Sequence, residues 1–575
     1  MSTVIPLDEF ARDKGYPGWE PRFFDSPWIA EPVSRFRPED EARFWFLDFH
    51  WPKGSTPLGM SYFEDGYAYA TQLAATTLPL PPSNGLALRF AGTHAYGGEA
   101  PLRSAWEPGF RGLRIGHDLG DFLNNFHAIW AKRAKELEAG FAHFRDFDTA
   151  RASRADLAQL ATDARAFQKF AWCVHFGLMY PLLANYAGFY GLCSELKIEP
   201  GEIAKFLQGE KTKIIETDME LWALAQDARD LGVADALMAA TGGGVRAALD
   251  GAGPNGAAWL ARFDAFLARR GWRTNGIADP AERPWIEDPA PVLDMLATFL
   301  RKPVAHDFAG GLAEAARERD AAVDRARSRL SRGEQAAFDA ALATCRSANF
   351  SWWNEDHNTL IDMQATIPQR KAALAIAAAC GADDPEDGVF LFHTELVEAA
   401  QGARPWSHYR PLVADRRAYY DHWLGLRKRM PKVLGTVPEA VGDPILIEIV
   451  GLHRHFLAAQ RAGAEVRELR GVPASRGVAR GRARVMHNPG ALHLLNPGDI
   501  LVCEGTAPSW TPAFTKIAAC VCDNGGTLTH ASIVSREYGL PCVVGTGLAT
   551  SAIAEGDDIE VDGTRGIVTI FKRAG

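Results

Sequence analysis

The sequence predicts a multidomain α+β protein, with a large, mainly α-helical portion followed by a small domain of alternating strands and helices. Three observations carry this reading. From about residue 118 to 270 apolar side chains recur at three- and four-residue spacing, as at Phe122, Phe126, Ile129 and Trp130 and again at Trp172, His175, Phe176, Met179 and Leu182, and after a loop long helices follow from 311 to 378. Near the C-terminus this period gives way to short apolar runs bounded by glycine and proline, notably 518–523 and 541–544. The 575 residues also exceed what a single core ordinarily serves. The change of pattern sets the domains at 1–465 and 466–575, with the charged stretch 461–470 as the expected hinge.

Composition narrows the functional classes. Hydrophobic residues make up 47% and charged residues 23%, the balance of a soluble globular chain. A net charge of -9 argues against general nucleic-acid binding. The opening MSTVIPLDEFARDKGY has neither a basic nor an apolar leader region, and no apolar run reaches membrane-spanning length. The expectation is therefore a cytoplasmic protein with no membrane and no nucleic-acid partner. Eight cysteines are scattered along the chain, and Cys520-Val521-Cys522 alternates as a strand does. Reduced, mostly buried thiols and no metal site are expected.

Residues 1 to about 100 are rich in proline, glycine and aromatic residues and show few helical periods. Within them, Phe44 to Pro52 holds His50 and Trp51 beside Asp48; a buried His50 paired with Asp48 serves either as a base or as a satisfied core histidine. Residues 89–97 read as a strand and turn containing His94. Two resemblances to phosphate-binding loops fail: Gly242-Gly243-Gly244 lacks the Lys-Ser/Thr pair, and Gly209-Glu210-Lys211-Thr212 has Glu where glycine is required. Both read as turns between helices. On a later helix, Trp353, His357 and Ile361 share one face at i, i+4 and i+8, and Glu355 and Asp362 share another. A histidine and carboxylates among tryptophans suit binding an aromatic alcohol and removing its proton, the alternative being a core role. Glu355 and His357 are two apart and point differently, which disfavours a metal.

The most informative stretch is 506–547, which reads as strand, Gly525-Gly526 turn, short helix and strand. Thr529 is the expected N-cap, 531–538 supplies about two turns, and Gly539 and Pro541 end the helix. His530 then sits at the first helical turn, beside backbone N–H groups without intrahelical acceptors. A phosphoryl group on its imidazole would meet the positive end of the helix dipole, with Thr527, Thr529 and Ser532 available as hydroxyl donors. The geometry suggests covalent catalysis through a phosphohistidine, against the simpler reading of His530 as an ordinary helix-start residue.

The neighbouring residues favour the first. Trp510-Thr511-Pro512, Gly525-Gly526, Thr529-His530-Ala531, Ile533-Val534, Arg536-Glu537, Gly539, Pro541 and Val544-Gly545 resemble the swivelling phosphohistidine domain of phosphoenolpyruvate synthase, pyruvate phosphate dikinase and rifampicin phosphotransferase. Gly471 to Gly481 looks like that domain's opening strand pair. Further upstream, Gly271-Trp272-Arg273 with Pro284-Trp285-Ile286-Glu287-Asp288-Pro289 resembles a loop in the central domains of rifampicin phosphotransferase and phenylphosphate-synthase-like proteins. The chain departs from it at Trp272, where the relatives tend to carry His. Glu355-Asp356-His357-Asn358 through Asp362, and Asp387 through Glu395-Leu396, resemble two further segments of those proteins, the latter read as strand into helix.

The resemblance implies a small β/β/α domain that carries phosphate on His530 while rotating on its linker. The ATP-grasp domain of those enzymes has no counterpart in the motifs, and the stretch after His530 has no room for a pyruvate-binding barrel. It therefore implies a two-component enzyme like phenylphosphate synthase, in which a separate ATP-grasp subunit, with ATP and Mg2+, charges His530 and the helical domain binds the acceptor. In that reading the acceptor is a small aromatic alcohol of aromatic catabolism, the base is His357 with His50 next, Arg273 steadies the phosphoryl group, and Trp51, Trp353, Glu355, Asp362 and Glu395 bind substrate. A kinase for a larger alcohol such as a rifamycin-like antibiotic, and a regulator that only bears phosphate on His530, are the alternatives.

Overall fold

The computed structural model describes residues 7–24, 31–78, 83–102, 104–239, 244–300, 308–462, 467–487, 492, 494–507 and 510–573. Gly242 and Gly243 of the glycine triplet, and 463–466 of the expected hinge, lie outside the described residues. The principal strands are β1 Ser34–Arg35, β2 Phe44–Leu47, β3 Leu86–Ala91, β4 His94–Glu99, β5 Val433–Gly435, β6 Glu468–Arg470, β7 Val472–Ser475, β8 Val478–Met486, β9 Ile500–Cys503, β10 Ala519–Cys522, β11 Cys542–Val544, β12 Asp558–Asp562 and β13 Ile567–Lys572. The principal helices are α1 Glu107–Asp146, α2 Arg154–Glu195, α3 Lys213–Asp230, α4 Pro254–Arg270, α5 Ala290–Leu300, α6 Phe308–Arg327, α7 Arg332–Ser347, α8 Phe350–His357, α9 Ile367–Ala379, α10 His393–Ala400, α11 Trp406–Gly425 and α12 His530–Glu537. This is a multidomain α+β architecture. Among the described residues no helix is long and apolar enough to cross a membrane.

The chain forms two compact units, each assembled from three segments: Met1–Pro181, Ile277–Glu282 and Leu360–Pro438 in the first, and Leu182–Gly276, Arg283–Thr359 and Glu439–Gly575 in the second. In the first unit a five-stranded sheet has the order β1-β3-β4-β2-β5. Residues 89–97 are the strand and turn expected, the antiparallel β3–β4 hairpin. Every residue of β3 is buried, including Arg89, whose guanidinium is met by Asp40 at 2.9 Å, so neither face shows a solvent-facing polar alternation. Helical residues from Pro57 to Thr77 were not foreseen for the same reason. Thr56 caps them by accepting from the Gly59 N–H, and 63–69 take π geometry with Phe63 to Ala68 all buried. The buried acids there, Glu64 and Asp65, are offset by Arg165 at 3.1 and 2.6 Å.

One expected element is corrected. Residues 387–396 were read as strand into helix, but Pro385–Phe390 is a 3-10 turn leading to α10. Pro385 fixes the first position, and the Asp384 carboxylate accepts from the Glu386 N–H, which holds the chain in a turn.

In the second unit, α3, α4 and α5 enclose a core of Leu221, Trp259, Phe263, Trp285, Val292 and Phe299. The C-terminal part forms an eight-stranded sheet of order β6-β13-β12-β8-β9-β10-β11-β7. Strands β8, β9, β10 and β11 run parallel, and all of β9 and β10 is buried. The expected opening strand pair is not a pair: β7 lies antiparallel to β11, while β8 lies between β12 and β9. Parallel strands bring their carboxyl ends to one edge, where open α/β sheets place their sites. Here that edge carries the loops beginning at 504, 523 and 545.

The loop after β10 is packed against backbone. Gly525 N–H donates to Val450 O at 2.9 Å. A Cβ on Gly526 would stand 2.5 Å from Glu448 O, and one on Gly451 would stand 2.2 Å from Gly525 N. Gly451 also has φ 86, in the left-handed region. Gly451→Ala therefore lowers stability by about 2 kcal/mol or more. Thermal unfolding checks this: an unchanged Tm contradicts the packing described.

Candidate functional site

His530 begins α12 and is buried. Its Nδ1 is 2.9 Å from Thr506 Oγ1, and its Nε2 is 3.3 Å from Thr511 Oγ1. Phe514 stands edge-on to the ring at 6.1 Å. Thr506 follows β9 and Thr511 opens the short helix Thr511–Phe514, so a single segment of the same small domain covers the imidazole. Burial pushes the His530 pKa down to about 3. The ring is neutral throughout the physiological range, leaving one nitrogen with a lone pair. Each ring nitrogen thus faces a threonine hydroxyl: the protonated one donates to its hydroxyl, and the other offers its lone pair.

The expected phosphate-binding hydroxyls are engaged with other groups in this arrangement. Thr529 occupies the N-cap position, but its hydroxyl donates to Gly526 O at 2.9 Å instead of accepting from the helix. Ser532 also donates to Gly526 O, at 2.6 Å, and Thr527 donates to Glu448 Oε2 at 3.1 Å. Gly525 and Gly526 form the turn itself.

Arg273 and Glu355 lie in the same unit as His530, close to residues the sequence reading passed over. Arg273 is buried, with Nη1 3.2 Å from Thr217 Oγ1 and its guanidinium over the Trp285 ring. Burial pushes the Asp218 carboxyl up to about 8, with Glu537 adding to the shift and Arg273 opposing it. Burial raises Glu355 well above its usual range, with contributions from Glu537 and Asp218. Glu537 rises to about 7 through burial, opposed by Arg536. Three carboxyls thus share one neighbourhood where the last turn of α12 meets α3 and α8. Glu537, with Gln208, Glu210, Thr212, Trp352 and Arg536 among others, lines a cleft of about 360 Å³. Trp353 and His357 do share a face: their rings stack at 4.0 Å, and His357 Nδ1 is 3.1 Å from Trp353 O. Residues 358–362 continue as π-helix, which turns Asp362 away from the α-helical spacing that would align it with Glu355.

The other sequence candidates belong to the first unit. His50 Nδ1 is 2.7 Å from Asp48 Oδ1, and a quarter or less of its side chain is exposed. Next to it an aromatic cluster joins Trp51, Phe63, Tyr67, Trp172 and Phe176, with ring centroids 4.4 to 5.6 Å apart. Asp362 Oδ1 lies 3.0 Å from Nδ1 of His175, a residue that periodicity assigned to the core. Burial lowers His175 to about 3. Glu395 has both oxygens on Arg416, at 2.6 and 3.0 Å, and also accepts from the Phe392 N–H.

Comparison with known proteins bears on this geometry. Residues 495–566 match the family described as PEP-utilising enzyme, mobile domain. That segment holds β9 to β12, α12 and His530. Residues 175–355 match the rifampicin phosphotransferase fourth domain, which corresponds largely to the helical part of the second unit. Chondramide synthase of Chondromyces crocatus is 29% identical over 94% of this chain and 14% of its own length. An uncharacterized phosphotransferase, YvkC, of Bacillus subtilis is 27% identical over 71% of this chain and 48% of its own. Rifampicin phosphotransferase of Bacillus cereus is 30% identical over 54% of this chain and 34% of its own. The chain spans less than half the length of each of these relatives.

Folding raises the Asp218 carboxyl from 3.8 to about 8, so the folded state keeps a proton that the unfolded chain releases. This contribution to stability is complete below about pH 4 and is lost as pH rises through 8. Asp218→Asn removes the dependence. The Tm of the variant relative to wild type rises between pH 5 and pH 8 in calorimetry; a difference that does not change with pH contradicts the shared-proton cluster.

Proposed function

We propose that this chain is the carrier and acceptor component of a dikinase-type phosphotransferase. His530 takes a phosphoryl group that originates in ATP and passes it to the hydroxyl of a small aromatic alcohol. The observation that carries the reading is a neutral, hydroxyl-braced histidine at the start of α12, inside a segment that matches the PEP-utilising mobile domain.

The residues act in order. Thr506 accepts from Nδ1–H and fixes the tautomer that leaves the Nε2 lone pair outward. In the charging step the P–O bond to the donor breaks as a P–N bond to Nε2 forms, and the imidazolium charge that develops is partly offset by the phosphoryl oxygens. The N–H groups of the first turn of α12 then face those oxygens. Thr527 and Ser532 join them only after leaving Glu448 and Gly526 O, so charging is coupled to a rearrangement of the 525–532 turn. In the transfer step the P–N bond breaks as the acceptor oxygen bonds to phosphorus, and the acceptor proton goes to a base. Such transfer passes through a loose transition state, for which positioning and charge neutralisation suffice. ATP and Mg2+ are the concern of a separate ATP-grasp subunit in this reading, and a cytoplasmic setting follows from it.

Two histidines are candidates for the base that takes the acceptor proton. In the second unit, His357 stacked on Trp353 beside Glu355 is the first choice of base. In the first unit, His50 held by Asp48 beside Trp51 is the second. A larger alcohol such as a rifamycin-like antibiotic is an equal reading of acceptor size, favoured by the match of 175–355 to the rifampicin phosphotransferase fourth domain.

The test is exchange of isotope-labelled phenols, and separately of a labelled rifamycin, into their unlabelled phosphate esters by this chain alone. Wild type is expected to exchange one class, and His530→Ala none. Loss of about 10²-fold or more in His357→Ala, with His50→Ala less affected, fits the first choice of base. Full exchange in His357→Ala removes that assignment. Exchange that persists in His530→Ala overturns the carrier role, and no exchange with either class points to a phosphohistidine regulator. Thr506→Val is expected to slow exchange by about an order of magnitude, the worth of one hydrogen bond.

A further inference from the structure

The second unit also holds a group of side chains that the phosphoryl chemistry does not use. Cys503 of β9, Cys520 and Cys522 of β10 and Cys542 of β11 are four of the eight cysteines, and all four are fully buried. Their position follows from register. Cys522 lies directly across from Cys503, and Cys520 across from Cys542. The two-residue spacing in β10 then puts Cys520 and Cys522 on one face of the sheet. All four border the same apolar core, with Leu501, Phe514, Ala531 and Val534.

The sulfurs are close together. Cys503 Sγ is 3.6 Å and Cys520 Sγ 3.7 Å from Cys522 Sγ, and the three lie within 4.8 Å of one another. A tetrahedral ion with metal–sulfur bonds of about 2.3 Å requires sulfur–sulfur edges of about 3.8 Å. These thiols stand near that spacing before any ligand is bound. We propose that Cys503, Cys520 and Cys522, with Cys542 closing the fourth position, form a structural site for a thiophilic d10 dication of the Zn2+ class.

The chemistry of the cluster suits such an ion. Cys522 Sγ stands between the other two sulfurs, at 3.6 and 3.7 Å, so one thiophilic ion placed among them reaches all three. Binding releases four thiol protons to solvent and forms four metal–sulfur bonds, with no change of oxidation state. The apolar casing leaves no path for a chelator, so the ion enters before β9, β10 and β11 close beneath α12. The site would brace the carboxyl ends of β9 and β10, from which Thr506 and the Gly525-Gly526 turn extend to His530. It is independent of which acceptor the enzyme uses.

The full chain is produced in zinc-supplemented and in zinc-depleted medium, purified under reductant and dialysed against EDTA. Elemental analysis is expected to find about one zinc per chain after supplementation, with a higher Tm than the depleted protein. Cys522→Ala should lower the zinc content at least tenfold, and Cys380→Ala should leave it unchanged. Should Cys522→Ala not fold, wild type produced with Cd2+ supplies the second readout, a thiolate-to-cadmium charge-transfer band in the ultraviolet. Zinc-free wild type with eight titratable thiols on denaturation, retention of zinc in Cys522→Ala, absence of the cadmium band, or a disulfide within the cluster each overturns the site. In those cases the four cysteines serve as small apolar packing groups.

Discussion

A buried neutral imidazole at the start of a helix needs a partner for its N–H and a place for its lone pair, and much of the second unit is arranged around that requirement. The partner is Thr506, which only the parallel run of β9 beside β10 can deliver: the two strands end together, so the loop after β9 reaches the helix that follows β10. The helix is held in turn by the Gly525-Gly526 turn, whose backbone approaches residues 448–451 too closely for any side chain at Gly526 or Gly451. Removal of the Thr506 contact would leave a buried ring nitrogen unpaired, which is costlier than its single hydrogen bond suggests.

The same burial that keeps His530 neutral also encloses its ring. Thr511 and Phe514 stand over the ring, and Thr527 and Ser532 are turned to other acceptors. The opposite end of α12 is charged. Glu537 contributes to a neighbourhood with Asp218 and Glu355 in which full ionisation of all three is unfavourable, while Arg536 and Arg273 supply the compensating charge.

Much of the small domain was legible in the sequence because its signals are local. Strands 519–522 and 542–544, the turn at Gly525-Gly526, and helix 530–537 with Gly539 after it each follow from short-range rules of turn and cap. Thr506 and Thr511 lay inside the stretch singled out, but their contact with His530 depends on strand adjacency, which a pattern of apolar runs does not express. The same limit explains β7 and β8, neighbours in sequence that pair with different strands. In the helical portion, buried elements erase their own period: Pro57 to Thr77 is helical, yet its π segment is buried almost all round. Asp218 gave no signal, and Glu537 none beyond its place in the family-like motif, because an acidic residue on a helix ordinarily reads as solvent-facing and only tertiary structure shows that the two share a neighbourhood with Glu355. Asp362 was placed on a face with Glu355 by counting at α-helical pitch, and the π turn at 358–362 defeats that count.

The central claim is that the nitrogen carrying phosphate is Nε2 of His530. The most direct measurement is 31P NMR of the full chain after incubation with an excess of an aryl phosphate or rifamycin phosphate that it exchanges, followed by peptide mapping under alkaline conditions. The account predicts an acid-labile, base-stable phosphoramidate signal of the Nε2 isomer, on the peptide containing His530, absent from His530→Ala and weakened in Thr506→Val. A phosphoramidate on any other histidine, a base-labile ester, or an Nδ1 isomer unaffected by Thr506→Val would contradict it.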